Sequence, residues 1–239
     1  MNSPRSSAAA GCAKRVIRRR ISILIAAAFS TGFGVAAAQT PMANGQYLIY
    51  LPSTAANVDH DAIVSAFGDS GYTVETFPDV REGDVVYARR IAGEVRALIR
   101  NGVHPRRISV VGAGSGSKIA ALVSGVASNR QVNYVLLGGC DLILKQQYTF
   151  HMSGRVLGIR DAADRGSHSC RPLWQESPKL SDHRDMVLNT EYGATLFEKP
   201  RAEWMSPLTG WTNRVSVEIG ELHVGSLTRR MPEAHGASD

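Results

Sequence analysis

The chain has 239 residues, 44% hydrophobic and 20% charged, which is enough apolar sequence for one domain with a sizeable core and too much for a disordered chain. The net charge of +6 belongs to residues 1–38, which carry six basic residues and no acid. From Gln39 onward 21 basic side chains balance 21 acidic ones, so the composition argues against nucleic-acid binding through a generally basic surface.

The N-terminus has the layout of a secretory signal peptide. Residues 1–20 are polar and basic, and residues 21–35 form an apolar run that is too short to span a bilayer comfortably. Ala36-Ala37-Ala38 then offers a cleavage site before Gln39. We predict a signal peptide over residues 1–38 and a periplasmic or secreted mature chain without a membrane span. The alternative is an uncleaved N-terminal anchor.

Two cysteines, Cys140 and Cys170, remain after the predicted leader. Export into an oxidising compartment favours a disulfide between them, and the alternative is a pair of buried free thiols. The Cys and His residues show no metal-ligand spacing, so we expect neither a metal site nor a cofactor.

Strands and helices alternate along the mature chain. Apolar or β-branched runs predict strands over Tyr47–Leu51, Tyr72–Thr76, Ile108–Val111, Val132–Leu137, Val156–Ile159 and Met186–Leu188. Helical periodicity predicts helices over residues 60–69, with Asp59 as N-cap, 83–101, 117–128 and 202–212.

Most of these strands lack polar alternation, which is typical of a parallel sheet covered on both faces. The sequence therefore predicts an α/β three-layer sandwich with a mostly parallel sheet. We place this domain at residues 40–213, with a partly disordered C-terminal tail over residues 214–239.

A glycine turn, Gly112-Ala113-Gly114-Ser115-Gly116, joins the third strand to its helix. It lacks the third glycine of a dinucleotide-binding fingerprint and the Gly-Lys-Ser/Thr of a P-loop. Its spacing fits the G-x-S-x-G nucleophile elbow, in which glycines let strand and helix approach closely. The central serine of that motif, however, is Gly114 here.

Several segments together resemble a small bacterial family of α/β-hydrolase-fold proteins, over about residues 47–212. The matching segments are Val110-Val111-Gly112-Ala113, Leu136-Leu137-Gly138-Gly139-Cys140, residues 156–164, Ser169-Cys170-Arg171-Pro172-Leu173 and Val187-Leu188-Asn189-Thr190. The family's early Leu-His-Gly, which would shape an oxyanion loop, reads Leu51-Pro52-Ser53 in this chain.

The resemblance implies a degenerate catalytic triad. It places Gly114 at the nucleophile position and Ala194 at the histidine position. It retains an acid at Asp164, with Asp161 as the alternative. Because acyl transfer needs a nucleophile, a base and an acid, two of the three groups are missing.

Three functions remain open at this stage. The favoured one is an exported pseudoenzyme that binds a small molecule or an envelope protein, with Gly112, Gly114, Ser115 and Gly116 in its site. The second is an active esterase-like hydrolase that uses Ser115 or Ser117 as nucleophile and a tail histidine, His223 or His235, as base. Ser115 lies one residue past the apex of the elbow, so its side chain is expected to point away from it, which counts against this role. The third is a structural or interaction protein of the cell envelope.

Overall fold

The computed structural model describes residues 45–77 and 83–213, and within these ranges the chain forms one six-stranded parallel sheet. The strands are β1 Gln46–Leu51, β2 Tyr72–Thr76, β3 Ile108–Ala113, β4 Asn133–Leu137, β5 Ser153–Asp161 and β6 Lys179–Leu188. The α-helices are α1 His60–Asp69, α2 Asp84–Arg100, α3 Ser115–Ala127, α4 Leu144–Gln147, α5 Arg171–Trp174 and α6 Ala202–Thr212. Two 3-10 helices cover Pro105–Arg107 and Gly193–Glu198.

The sheet has the strand order β2-β1-β3-β4-β5-β6 and is covered by helices on both faces. Alternate side chains of one strand enter different cores: Ile49 and Leu51 pack with α2 and α3, whereas Leu48 and Tyr50 pack with α1 and α6. Burial on both faces explains why these strands are continuously apolar. The predicted three-layer α/β sandwich is confirmed.

Local signals set most of the element ends. The Asp59 side chain accepts a hydrogen bond from the backbone N–H of Ala62 at 3.1 Å and so caps α1, as predicted. Helix α1 is followed by Gly71, whose φ of +88° is the left-handed conformation that glycine adopts without strain. Helix α6 has the predicted bounds, and α2 is one residue shorter than predicted at each end.

The sequence analysis misplaced several bounds. Helix α3 begins at Ser115 and not at residue 117, because Gly114 already makes the turn out of β3. Strands β5 and β6 are longer than predicted, at nine and ten residues. Strand β6 lies at the edge of the sheet and is mostly polar and part-exposed, so it offers no apolar run to recognise.

Cys140 and Cys170 form the predicted disulfide, which links the segment after β4 to the start of α5. Within the described ranges, no helix is both long and apolar enough to cross a membrane. The predicted leader over residues 1–38 and the predicted tail over residues 214–239 lie outside those ranges. They remain predictions, as do the domain bounds of 40–213.

Candidate functional site

The turn between β3 and α3 lies at the carboxyl edge of the sheet and has an unusual backbone. Gly114 adopts φ +52° and ψ −116°, a conformation that is strained for any residue with a side chain. Its N–H donates to the Leu137 carbonyl at 2.9 Å, and its carbonyl accepts from the Ser117 N–H at 3.0 Å. The sharp strand-to-helix turn predicted from the glycine spacing is therefore present.

The two flanking glycines, Gly112 and Gly116, let three segments approach closely. A Cβ on Gly112 would lie 2.2 Å from the Gly116 carbonyl oxygen, and a Cβ on Gly116 would lie 2.1 Å from the Leu51 carbonyl oxygen. Any side chain at either position would push α3 away from β1 and β3. Both glycines, which we predicted as binding residues, thus have a packing role, and Gly116 also lines a cleft described below.

The space where a side chain of residue 114 would project is already occupied by Ser53, from the segment after β1. A Cβ on Gly114 would lie 2.7 Å from Ser53 Oγ and 3.1 Å from Ser53 Cβ. The Ser53 hydroxyl itself accepts a hydrogen bond from the Ala55 N–H at 3.2 Å. The nearest side chain to residue 114 therefore comes from a different loop.

Ser115, the first residue of α3, is exposed beside this loop. Its Oγ accepts a hydrogen bond from the Thr54 N–H at 3.1 Å and lies 3.2 Å from Thr54 Oγ1. The sequence analysis expected this side chain to point away from the elbow. It contacts Thr54 in the loop after β1 and lines a cleft whose lining does not include Gly114, so the expected orientation stays a prediction.

Ser117 has a different environment from Ser115. It is 4% exposed, and its hydroxyl lies within hydrogen-bonding distance of two carbonyl oxygens, that of Gly112 at 2.8 Å and that of Leu137 at 2.7 Å. One hydroxyl proton shared between two backbone acceptors links the ends of β3 and β4. This buried position does not fit the hypothesis that Ser117 is a nucleophile.

A small cleft of about 100 Å³ opens beside the N-terminus of α3 and is lined by Pro52, Thr54, Ser115 and Lys118, among others. Lys118 Nζ lies 2.7 Å from a carboxylate oxygen of Asp84, the first residue of α2. This hydrogen bond raises the pKa of Lys118, an effect that burial partly opposes. Lys118 is therefore protonated at neutral pH and does not act as a base for Ser115.

Two carboxylates follow β5, and the structure separates their roles. Asp161 is fully buried and accepts hydrogen bonds from the Ala163 N–H at 2.7 Å and from the Thr190 hydroxyl after β6. Asp164 is half-buried and accepts from the Gly166 N–H at 2.9 Å, which closes a local turn. Asp161, the alternative in our sequence analysis, is thus the better-held acid, while a catalytic role of Asp164 remains a prediction.

The position implied for the histidine lies beside this acid loop. A Cβ on Gly193 would lie 3.5 Å from the carbonyl oxygen of Ala163, which stands between Asp161 and Asp164. Ala194 is the next residue along the chain after Gly193. Ala194 is exposed and has no group that takes a proton. No histidine among the described residues hydrogen-bonds Ser115, and His223 and His235 lie outside the described residues.

The sequence analysis did not assign a role to Ser53, Thr54 or Asp84. The only signal was that this segment reads Leu51-Pro52-Ser53 where the family that the chain resembles has Leu-His-Gly, and this does not show where the loop goes. In the described part of the chain, no group of three or more His, Cys, Asp or Glu residues is placed to hold a metal ion.

No protein-family model matches the chain, and no curated protein matches it. Solved structures do resemble it. SOBER1 from Arabidopsis thaliana is 11% identical with a TM-score of 0.50 over 71% of this chain and 98% of that chain. A single-residue variant of SOBER1 gives 10% identity and a TM-score of 0.52 over the same shares.

MGS-M1, an α/β hydrolase enzyme from a Medee basin deep-sea metagenome library, is 11% identical with a TM-score of 0.49 over 73% of this chain and 86% of that chain. At such identities, structural similarity establishes a fold and not an activity. The six-stranded parallel sheet with helices on both faces and the similarity to SOBER1 give the chain an α/β-hydrolase-like fold, and its β3–α3 turn is sharp and strained, with glycine at the apex.

Proposed function

We propose that this protein is an exported α/β-hydrolase-fold protein that binds a small molecule beside its elbow and does not hydrolyse esters. One observation carries the proposal: Gly114 stands at the apex of an elbow-like turn and has no side chain to attack an ester, and Ser53 lies beside it. A Cβ at residue 114 would lie 2.7 Å from Ser53 Oγ and 3.1 Å from Ser53 Cβ, so a side chain there would crowd the loop after β1.

The surrounding groups support a loss of catalysis. A serine nucleophile needs a base within hydrogen-bonding reach and an acid that orients the base. Ser115 is paired with Thr54, the nearby Lys118 is held protonated by Asp84, and Ala194 stands at the histidine position. Asp161 retains its hydrogen bonds, but a carboxylate alone performs no acyl transfer.

The position of the cleft supports a binding role. In parallel α/β sheets, ligands bind outside the carboxyl ends of the strands where successive connections leave in opposite directions. Here β1 lies between β2 and β3, and the cleft lies between the end of β1 and the start of α3. Its volume of about 100 Å³ suits a ligand of a few non-hydrogen atoms, or one end of a longer molecule.

Fluorophosphonate labelling of the purified protein tests the loss of catalysis, with Ser115→Ala and Ser117→Ala variants beside it and a known serine hydrolase as positive control. We expect no labelling of the folded protein and no hydrolysis of p-nitrophenyl acetate above that of the two variants. Labelling that disappears only in the Ser115→Ala variant would instead establish the second candidate, an unconventional serine hydrolase. That candidate rests on the exposure of Ser115 in the cleft.

Export is supported by the layout of residues 1–38 and by the Cys140–Cys170 disulfide, since structural disulfides persist mainly in oxidising compartments. Expression with the native leader in a bacterial host, followed by mass measurement of the periplasmic protein, tests it. We expect a chain that begins at Gln39. A cytoplasmic product that still begins at Met1 would contradict export.

The remaining candidate is an envelope protein that uses the scaffold for interaction. Cross-linking in intact cells tests it against the ligand-binding role. A specific protein partner that is retained when Ser115 is changed to a bulkier residue would favour interaction elsewhere on the surface over binding in the cleft.

A further inference from the structure

Strand β2 forms an open edge of the sheet. It pairs with β1 on one side, and within the ranges that the structure describes no strand pairs with its other side. Its residues Thr73, Glu75 and Thr76 are exposed. Tyr72 and Val74 contribute to the core beneath α1. Because an edge strand presents unpaired N–H and C=O groups, β2 can accept one more neighbouring strand.

The same edge borders an open groove on the face of the sheet that carries α1 and α6. The groove has a volume of about 500 Å³ and lies between the carboxyl ends of β1 and β2 and the first turns of α1. Val64 of α1 lines this groove and is only partly buried, and Val74 in the middle of β2 is partly buried as well. Apolar side chains from a strand beside β2 would complete the burial of both residues.

The chain that follows α6 has the residue pattern of a strand. Residues 215–219 read Val-Ser-Val-Glu-Ile, and Gly220 follows them. Strict alternation of apolar and polar residues over such a length is typical of a strand with one buried face. On this pattern Val215, Val217 and Ile219 share the buried face. The segment lies outside the described residues, so this evidence comes from the sequence alone.

Helix α6 brings this segment to the start of β2. Its last residue, Thr212, is fully buried, and its hydroxyl is hydrogen-bonded to that of Tyr72, the first residue of β2. Three residues of extended chain reach about 10 Å, and neighbouring strands lie about 4.8 Å apart. Val215 is therefore close enough in sequence to Thr212 to begin a strand beside Tyr72.

The hand of the connection favours the β2 edge over the β6 edge. Helix α1 connects β1 to β2 over the same face of the sheet on which α6 packs. A connection from β6 through α6 to the open side of β2 runs over that face in the same direction, so it has the same hand. A strand added beyond β6 would reverse the direction and give the opposite hand. Parallel connections share one hand in about 98% of cases.

We propose that residues 215–219 form a seventh strand, parallel to β2, that closes this edge of the sheet and covers the groove beside α1. The three apolar residues of the segment then lie beside Tyr72, Val74 and Thr76, on the face that carries α1. The last of them, Ile219, lies over the groove, and the two polar residues lie on the opposite face. The inference does not depend on the proposed function, because it involves none of the elbow residues.

Amide hydrogen exchange of the purified chain, followed by NMR, tests the strand. We expect amides within residues 215–219 to exchange about 100-fold more slowly than in an unstructured chain. Val217→Lys is expected to reduce this protection about tenfold or more, because it places a charge on the buried face. Ser216→Lys is the matched control, since it introduces the same side chain on the opposite face, and it is expected to leave the protection unchanged.

Paired cysteines identify the edge that the segment occupies. Thr73→Cys with Ser216→Cys places two thiols on neighbouring strands about 4.8 Å apart, within the reach of a disulfide. Arg184→Cys with Ser216→Cys is the matched control, because Arg184 is exposed on β6 at the other edge of the sheet. After air oxidation and peptide mapping, we expect a cross-link within one chain for the Thr73 pair and none for the Arg184 pair.

Three results would overturn the proposal. The first is exchange at unstructured-chain rates throughout residues 215–219, and the second is an equal effect of the two lysine substitutions on protection. The third is the absence of the Thr73 cross-link within one chain, whether the segment links instead to β6, to a second chain or to neither. Fluorophosphonate labelling does not bear on any of these outcomes, so failure here and failure of the proposed function are distinguishable.

Discussion

Crowding between Gly114 and Ser53 predicts a specific energetic coupling between loops that are distant in sequence. The perturbation is a double-mutant cycle with Gly114→Ala and Ser53→Gly. At φ +52° and ψ −116° the alanine backbone is strained, which costs about 1–3 kcal/mol. The new methyl group would also lie 2.7 Å from Ser53 Oγ and 3.1 Å from Ser53 Cβ.

The crowding adds a cost that depends on Ser53. Its hydroxyl can rotate away but then loses the hydrogen bond from Ala55 N, and its Cβ must shift by a few tenths of an ångström. We expect the lost hydrogen bond and the shift of Ser53 together to lower the free energy of unfolding by about 1–2 kcal/mol. With Ser53→Gly the nearest remaining atom of residue 53 is Cα at 3.9 Å, an ordinary contact, so only the backbone strain persists.

Urea unfolding of the four proteins measures the cycle. Gly114→Ala is expected to destabilise the protein by about 2–5 kcal/mol with Ser53 present and by about 1–2 kcal/mol less with Gly at residue 53. Gly71→Ala is the matched control, because Gly71 also has a positive φ, +88°, but a Cβ there meets no atom within 4 Å. The same cycle is measured with Gly71→Ala in place of Gly114→Ala. A coupling free energy between Gly114 and Ser53 that is below about 0.5 kcal/mol, and no larger than that between Gly71 and Ser53, would refute the reasoning.

Three further outcomes are expected. Replacing both Cys140 and Cys170 with Ala removes a cross-link between residues 30 apart in sequence. We expect this to lower the free energy of unfolding by about 3–4 kcal/mol and the melting temperature by about 10 °C; an unchanged melting temperature would contradict it. Asp161→Ala should lower the free energy of unfolding in urea by about 2–4 kcal/mol, since it leaves two hydrogen-bond donors without an acceptor. Asp164→Ala should lower it by about 1 kcal/mol, and equal losses would contradict our assignment of Asp161 as the better-held acid. Burial raises the pKa of Tyr134, so above about pH 10 unfolding releases a proton that the folded state retains, and stability falls with pH. Tyr134→Phe should remove about 1.4 kcal/mol per pH unit of that slope in urea unfolding from pH 9 to 11.5, and identical slopes would argue against it.

Much of the architecture is determined locally and was therefore predictable. Strand β1 is recognisable in the sequence because its side chains from Tyr47 to Leu51 all enter one of two apolar cores. Asp59 indicates the start of α1 because its side chain caps the helix by a hydrogen bond only three residues away. The glycine spacing around Gly114 predicted the sharp turn, since close approach of strand and helix excludes side chains there. The predicted length of the edge strand β6 was too short, because its residues are exposed or part-exposed and form no apolar pattern.

The chemistry of the site was decided by tertiary structure. The sequence places glycine at the centre of the turn, but only the path of the loop after β1 brings Ser53 beside it. Thr54 and Ser115 are 61 residues apart in sequence, and no periodicity encodes their contact. Burial likewise distinguishes Ser117 from Ser115, although both lie in the first turn of α3. Local patterns record which residues are buried in a strand or helix, whereas contacts between loops depend on how the assembled sheet and helices direct them.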